Sequence, residues 1–325
     1  MKPRVFVTQR VSQPALDLLS RFAFVEVNED SDRLLRKDEL IQAVRKHEFL
    51  FCLLPDVIDS DVLAANPGLR LVANMAAGYN NIDVRAATER GILVTNTPGV
   101  LTETTADLAW ALLLSVARRI VEGDSFTRSG RFHHWGPMLF LGSNVFGKTL
   151  GIVGMGRIGQ AVARRARGFS MRVLYTNRNR LPRDIEAELG AEYRSLDDLL
   201  RASDFVTIHT PLTPDTRHLV GARELGLMKD GSYLINTARG PVVDERALVE
   251  ALKRESIAGA GLDVYENEPA LEPGLVEMDN VVLLPHIGSA SLETRAKMAM
   301  VTAESIIAVI EGRRPANVVN PEVYA

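Results

Sequence analysis

Cysteine is nearly missing from this sequence: Cys52 is the only one among 325 residues. A single thiol excludes an internal disulfide framework and suits a reducing compartment. Its place in the apolar run 49–54 marks it as a buried core thiol rather than a nucleophile. An excess of either charge is missing too. The 38 Lys and Arg face 41 Asp and Glu, for a net charge of -3, so nothing draws the chain to nucleic acid or anionic lipid. No apolar run is long enough to span a bilayer. The most hydrophobic stretch, 108–116, is short, runs straight into Arg118 and Arg119, and reads as a buried helix. Residues 1–8 carry no secretory h-region and read as a short strand around Val5, Phe6 and Val7. Repeats and low-complexity tracts are absent. The expectation is a folded cytoplasmic protein with no metal site.

What is present is an alternation. At 325 residues with 46% hydrophobic content, the chain is comfortable as two domains with sizeable cores. Short β-branched runs alternate with amphipathic stretches, the pattern of parallel α/β folds. Strands are expected at 4–8, 24–27, 49–54, 71–74 and 93–95, with helices such as 14–22 and 32–46 between them. A long helix is expected over 103–122, followed by a Gly/Pro/aromatic-rich segment at 130–142. A second alternation then places strands at 149–153, 172–175, 205–209, 233–236, 259–263 and 281–284. The last long helix, 292–311, has two candidate partners, since it fits either unit.

Directly after the strand at 149–153, residues 154–159 read Gly-Met-Gly-Arg-Ile-Gly, and a helix is expected over 160–167. In this strand-turn-helix setting the three glycines have separate tasks. Gly154 permits the tight turn, Gly156 lets the backbone approach a pyrophosphate, and Gly159 allows helix to pack closely on strand. The N–H groups at the helix start then meet phosphate charge. NAD-specific sites carry an acid at the end of the next strand, for the ribose 2′-hydroxyl. This chain has Asn177 there instead, followed by Arg178, Asn179 and Arg180. A guanidinium fork matches phosphate oxygens, so the expectation is NADP(H) in preference to NAD(H). A merely solvated basic loop is the alternative.

Three further segments follow predicted strands, where open α/β sheets place ligands. They bring Arg239, Glu268 and His286. Reduction of a 2-oxo acid needs a cation for the carboxylate, a proton donor for the carbonyl oxygen and hydride from a nicotinamide. A carboxylate beside the histidine favours its protonated form and fixes its orientation. His47, His133, His134, His209 and His218 are rival imidazoles. Of these only His209 also ends a strand, and its Thr-Pro neighbours suggest a loop wall.

These segments resemble the D-isomer-specific 2-hydroxyacid dehydrogenase family along essentially the whole chain. The markers are the glycine turn 154–159, His-Thr-Pro-Leu-Thr-Pro at 209–214, Asn-Thr-Ala-Arg-Gly at 236–240, Gly-Leu-Asp-Val at 261–264, Glu268-Pro269 and Pro-His-Ile-Gly at 285–288. The resemblance implies an α/β fold with two doubly wound parallel-sheet domains. A Rossmann dinucleotide-binding domain, 100–289, is inserted into a flavodoxin-like substrate domain, 1–99 with 290–325. It implies Arg239 as the residue that holds and polarises the substrate, His286 as the acid/base and Glu268 as its partner.

Within that family the stretches 74–83, 96–107 and 134–137 look like those of glyoxylate/hydroxypyruvate reductases. That likeness implies that the backbone N–H groups of Ala77 and Gly78 bind the substrate carboxylate, beside Ser289. Trp135 is expected either to reach the partner's active site in a homodimer or simply to pack at the interface, together with the 103–122 helix. Further candidate cofactor contacts are Thr104, Arg157, Ile158, Pro211, Thr237, Ala238, Asp263 and Gly288, with Arg239 and His286 also facing the nicotinamide. The expected reaction is reduction of glyoxylate or hydroxypyruvate. The alternatives are a 2-ketogluconate reductase, a D-lactate or phosphoglycerate dehydrogenase, or a non-catalytic NAD(H)-sensing corepressor. Against the phosphoglycerate enzymes stand the ending of the chain soon after the last helix and the lack of a cation at 74–76. A corepressor would carry extra termini or partner-binding grooves.

Overall fold

The computed structural model describes residues 2–28, 30 and 33–324. Its strands in chain order are β1 (Arg4–Val7), β2 (Phe24–Val27), β3 (Phe49–Cys52), β4 (Leu71–Asn74), β5 (Leu93–Thr95), β6 (Thr149–Val153), β7 (Arg172–Thr176), β8 (Ala191–Tyr193), β9 (Phe205–Ile208), β10 (Tyr233–Asn236), β11 (Gly259–Leu262) and β12 (Val281–Leu283). The helices are α1 (Gln13–Ser20), α2 (Lys37–Val44), α3 (Ser60–Ala64), α4 (Val84–Glu89), α5 (Thr102–Ala117), α6 (Ile120–Arg128), α7 (Arg157–Ala166), α8 (Arg183–Leu189), α9 (Leu196–Ala202), α10 (Ala222–Leu225), α11 (Glu245–Lys253) and α12 (Leu292–Ile310). The chain divides into two compact units: residues 1–101 with 289–325, and residues 102–288.

The first unit is a five-stranded parallel sheet in the order β2-β1-β3-β4-β5, the flavodoxin-like arrangement. Strands covered on both faces read as continuous apolar runs, and Phe49–Cys52 and Leu71–Asn74 are buried throughout. The edge strand β2 instead alternates between exposed and half-buried positions. One face packs on α1 and α12, where Met298, Ala303 and Ile306 lie against Leu19, Phe49 and Leu71. Each large apolar side chain so buried contributes about 1.5–3 kcal/mol. The last helix, which has two possible partners in the sequence, therefore belongs to this unit.

Beyond α12 the chain returns to the free edge of β5. Thr95 and Val318 form an antiparallel bridge, and the Val319 N–H donates to the Val94 carbonyl at 2.8 Å. Asn320, fully buried, locks the tail. Its Nδ2 donates to the Ile92 carbonyl (2.9 Å) and to Thr88 Oγ1 (3.0 Å), while its Oδ1 accepts the Val94 N–H (2.8 Å).

The second unit is a seven-stranded parallel sheet, β12-β11-β10-β9-β6-β7-β8. From β8 to β11 it has the 3-2-1-4-5-6 order of a Rossmann domain, with β12 added outside. The order reverses between β6 and β9, so the crevice at their carboxyl ends is the expected ligand position. Two expected elements differ. The helix expected over 103–122 is two helices, because the chain turns at Arg118 and Arg119, where Arg119 takes a left-handed φ of 53°. The helix expected over 32–46 runs only over Lys37–Val44. The Arg36 N–H donates to the Glu39 carboxylate at 2.9 Å and starts the helix there; Asp32 lies outside the described residues.

The tail lock is testable. Asn320→Ala leaves the Val94 N–H and the Ile92 carbonyl without their buried partner, which should cost about 2 kcal/mol or more in urea unfolding. Stability equal to the parent would contradict this account of the edge.

Candidate active site

The glycine turn at the end of β6 has the geometry its sequence demands. Gly154 sits at a φ of +98°, and a Cβ there would lie 2.8 Å from the His209 carbonyl carbon and the Thr210 nitrogen. A Cβ on Gly159 would stand 2.2 Å from the Gly154 carbonyl oxygen, so only glycine lets α7 pack this close to the turn. At Gly156 a Cβ would meet nothing within 4 Å, which leaves an open face beside the helix start. Gly156 caps α7 without a side-chain bond, and among the described residues the Arg157 and Ile158 N–H groups have no acceptor. Uncapped donors and an open backbone at a helix N-terminus fit a pyrophosphate.

At the end of β7, Asn177 donates from Nδ2 to the Asn179 carbonyl at 3.0 Å, tightening the loop. The two arginines differ. Arg180 forks onto Glu186 with two bonds of 2.8 Å and lies over the Tyr193 ring, whereas the exposed Arg178 has no such partner among the described residues. Between the pairing with Arg180 and the Tyr175 hydroxyl, Glu186 is held down at about 2.

The remaining strand ends converge on one histidine. His286 follows β12 and shares a 2.8 Å hydrogen bond through Nδ1 with Glu268 Oε2. That bond fixes the ring and leaves Nε2 as the nitrogen not engaged by Glu268. The His286 backbone lies at a φ of 53°, a left-handed conformation that costs roughly 1–2 kcal/mol outside glycine. It is held by Asp263 at the end of β11, whose two buried oxygens accept the Ile287 and Gly288 N–H groups, each at 2.7 Å. Burial raises the Asp263 carboxyl, though those two N–H bonds and the nearby imidazole oppose the rise. Thr105 Oγ1 on α5 donates to the Gly288 carbonyl at 3.1 Å and closes the loop from the other side.

Burial also pushes Glu268 up, but the hydrogen bond and charge of His286, the Tyr265 N–H at 3.0 Å and the Arg239 charge outweigh it. The carboxyl ends below its ordinary value. Arg239, half-buried after β10, is pulled down by desolvation and supported by the Glu268 charge. Its turn is shaped by Asn236, which donates to the Arg239 carbonyl and accepts the Ala238 N–H, each at 3.0 Å. Thr237 Oγ1 in the same turn is buried without a partner among the described residues. His209 stands apart from this cluster. It is pinned to Thr207 Oγ1 at 2.9 Å, and burial pushes it down to about 3, so the ring is uncharged at neutral pH. Pro211, two residues on, is exposed.

In the first unit, the loop after β4 has its carbonyls spoken for. The Thr97 N–H donates to the Ala76 carbonyl (2.8 Å), Asn96 Nδ2 to the Ala77 carbonyl (2.7 Å) and Asn74 Nδ2 to the Gly78 carbonyl (3.0 Å). Among the described residues, the Ala77 and Gly78 N–H groups have no acceptor. Two adjacent backbone N–H groups in this state are donors that an anion could take.

A sequence model of the "D-isomer specific 2-hydroxyacid dehydrogenase, NAD binding domain" matches residues 110–288. The glyoxylate reductase of Thermococcus kodakarensis is 52% identical over 327 residues, covering 99% of this chain and 98% of that protein. This chain belongs to the D-isomer-specific 2-hydroxyacid dehydrogenase family. Solved structures agree. A Thermus thermophilus protein superposes with a TM-score of 0.91 at 49% identity, covering 97% of this chain and 99% of that one. The NADPH-dependent glyoxylate/hydroxypyruvate reductase of Sinorhizobium meliloti, solved with NADP and malonate, gives 0.87 at 34%, covering 99% and 98%.

As a family member the chain is an NAD(P)-dependent oxidoreductase with two parallel-sheet α/β domains, and the family's substrates are small 2-oxo acids. Among the described residues no helix is long and apolar enough to cross a membrane. The site contains residues that sequence reasoning missed. Asn74, Asn96 and Thr105 stand inside quoted motifs, yet no spacing rule gives them a task. Glu245, at the start of α11, has no motif at all. Fully buried, it accepts the Glu266 N–H at 2.7 Å and so anchors the loop that carries Glu268. Burial, with the neighbouring carboxylates Glu266, Glu272 and Glu268, raises it to about 7.

The sign of that shift sets a test. An acid whose pKa is higher folded than unfolded holds its proton in the native state, so stability falls as pH rises from about 4.5 to about 7. Glu245→Gln keeps the acceptor and removes the titration. It should match the parent melting temperature at pH 5 and exceed it at pH 8. A variant that melts lower than the parent at pH 8 would contradict the shift.

Proposed function

We propose that this enzyme reduces glyoxylate and hydroxypyruvate to glycolate and D-glycerate with NADPH, the second unit holding the dinucleotide and the first the substrate carboxylate. The 2.8 Å bond between His286 Nδ1 and Glu268 Oε2 carries the proposal, because it prepares one imidazole nitrogen for proton transfer at the end of a cofactor-domain strand. The names of the Thermococcus kodakarensis and Sinorhizobium meliloti relatives support the substrate, and the NADP in the second supports the cofactor.

In this mechanism the Ala77 and Gly78 N–H groups bind the substrate carboxylate, with Ser289 beside them. Arg239 grips the carboxylate and the carbonyl oxygen and draws electrons from C2. His286 delivers its Nε2 proton to that oxygen as it gains charge, and Glu268 stabilises the ring before and after the transfer. Bound reduced nicotinamide supplies the hydride that C2 accepts. Gly154, Gly156 and Gly159, with the Arg157 and Ile158 N–H groups, seat the pyrophosphate. Thr104, Pro211, Thr237, Ala238, Asp263 and Gly288 line the remainder of the dinucleotide. Asn177, Arg178 and Asn179 surround the ribose 2′ position. Arg178 is the 2′-phosphate ligand of first choice, because Arg180 is already paired with Glu186.

A homodimer completes the proposal. Trp135 and Met138 are each 77% exposed, and Phe132, Leu141 and Phe146 are also exposed in the same segment. Phe140 packs edge-on against Phe126 of α6 and shapes this arm. An apolar arm of this kind suits a second copy of the chain. Sedimentation velocity should give a dimer, and a monomer at micromolar concentration would remove this part.

His286→Ala should lose about 10²-fold or more in kcat for glyoxylate with NADPH affinity kept. Full activity in that variant would sink the assignment. The parent should show a higher kcat/KM with NADPH than with NADH. Arg178→Ala should lose about tenfold or more with NADPH alone, as expected for a charge-assisted phosphate contact. An equal loss with both cofactors would move the phosphate contact elsewhere.

A further inference from the structure

We propose that Asn96 and Asn317, in the segment after α12, are positioning residues that aim the Ala77 and Gly78 N–H groups at the substrate carboxylate. This rests on the assignment of those two groups to the carboxylate made above.

The argument runs through peptide planes. A trans peptide is flat, with its carbonyl and the following N–H pointing in opposite directions, so fixing one aims the other. Asn96 Nδ2 holds the Ala77 carbonyl at 2.7 Å and thereby orients the Gly78 N–H. The Thr97 N–H holds the Ala76 carbonyl at 2.8 Å and orients the Ala77 N–H. Both anchors come from one short segment after β5, and that segment is gripped by the tail. The Asn96 N–H donates to the Asn317 carbonyl at 3.3 Å, and Asn317 Nδ2 donates back to the Asn96 carbonyl.

The second of these bonds acts on the Asn96–Thr97 peptide, whose N–H is the donor to Ala76. Asn317 is therefore two peptide planes away from the Ala77 N–H. Asn317 is itself anchored, since Ser305 Oγ on α12 donates to its Oδ1 at 2.9 Å. The line runs from Ser305 to Asn317, to the Asn96–Thr97 peptide, to the Ala76–Ala77 peptide and then to the ligand. Each link is a hydrogen bond between dipoles aligned head to tail, so each strengthens the next donor. Asn96 is buried, and the Ala77 and Gly78 N–H groups at the end of the line have no acceptor among the described residues.

The test compares Asn96→Ala and Asn317→Ala with the parent, using glyoxylate and its methyl ester, which lacks the carboxylate charge. A carboxylate grip is shared by ground and transition states, so its loss appears in KM rather than kcat. Asn96→Ala should raise KM for glyoxylate about tenfold with kcat nearly kept. The KM for the ester should stay near the parent value, and so should NADPH affinity. Asn317→Ala, acting at one remove, should shift the same constants in the same direction by a smaller factor. It also keeps the test alive if Asn96→Ala does not fold.

A lower melting temperature with unchanged KM, or an equal rise in KM for acid and ester, would overturn the proposal and leave the reductase assignment standing. A parent enzyme that does not prefer glyoxylate to its ester would overturn the carboxylate assignment itself, and the proposal with it.

Discussion

The Asp263 carboxylate holds the candidate active site together. It sits at the end of β11, buried, and accepts two adjacent backbone N–H groups at 2.7 Å each. Those donors belong to Ile287 and Gly288, immediately after a histidine in a left-handed conformation. That grip fixes the backbone on the far side of His286 while Glu268 fixes its ring. An energetic penalty at one residue thus persists because its neighbours over-determine it. The choice of a buried acid is itself expensive, and the two N–H bonds with the nearby imidazole offset part of that cost.

The same economy recurs across the molecule. At the glycine turn and after β4 the groups left bare are backbone donors rather than charged side chains. Gly154 and Gly159 permit approaches that a Cβ would forbid, and the start of α7 presents bare N–H groups to an anion. The loop after β4 likewise turns its carbonyls inward onto Asn74, Asn96 and Thr97 and leaves its N–H groups bare. In the proposed function both features would meet negative charge with dipoles already in place, at no cost of side-chain ordering on binding.

Much of this was legible in the sequence, for a physical reason. Buried parallel strands are continuous apolar runs, so Phe49–Cys52 and Tyr233–Asn236 announce themselves, and ligands gather at their carboxyl ends. That single rule led to Arg239, Glu268 and His286. The short edge strand Ala191–Tyr193 was not legible, since three residues with a glutamate at the centre carry no strand pattern. The break at Arg119 was hidden because no proline or glycine marks it. In sequence Arg180 is equivalent to Arg178; in the structure Glu186, six residues on, occupies it. Asn317 and Glu245 were invisible for the opposite reason. Each acts by holding another residue's backbone, and a side chain that serves a distant peptide leaves no local spacing to detect.

The return of the chain to the β5 edge also bears on how the protein is made. The second unit, 102–288, is continuous and carries its own core, so it can complete itself while the chain is still emerging from the ribosome. The first unit cannot. Its sheet lacks α12 and its β5 edge lacks the 318–320 cover until residues 292–320 arrive. Residues 1–101, although translated first, thus wait for residues 292–320, and a chain cut before them would bear a nucleotide-binding body with its core present beside an unfinished sheet.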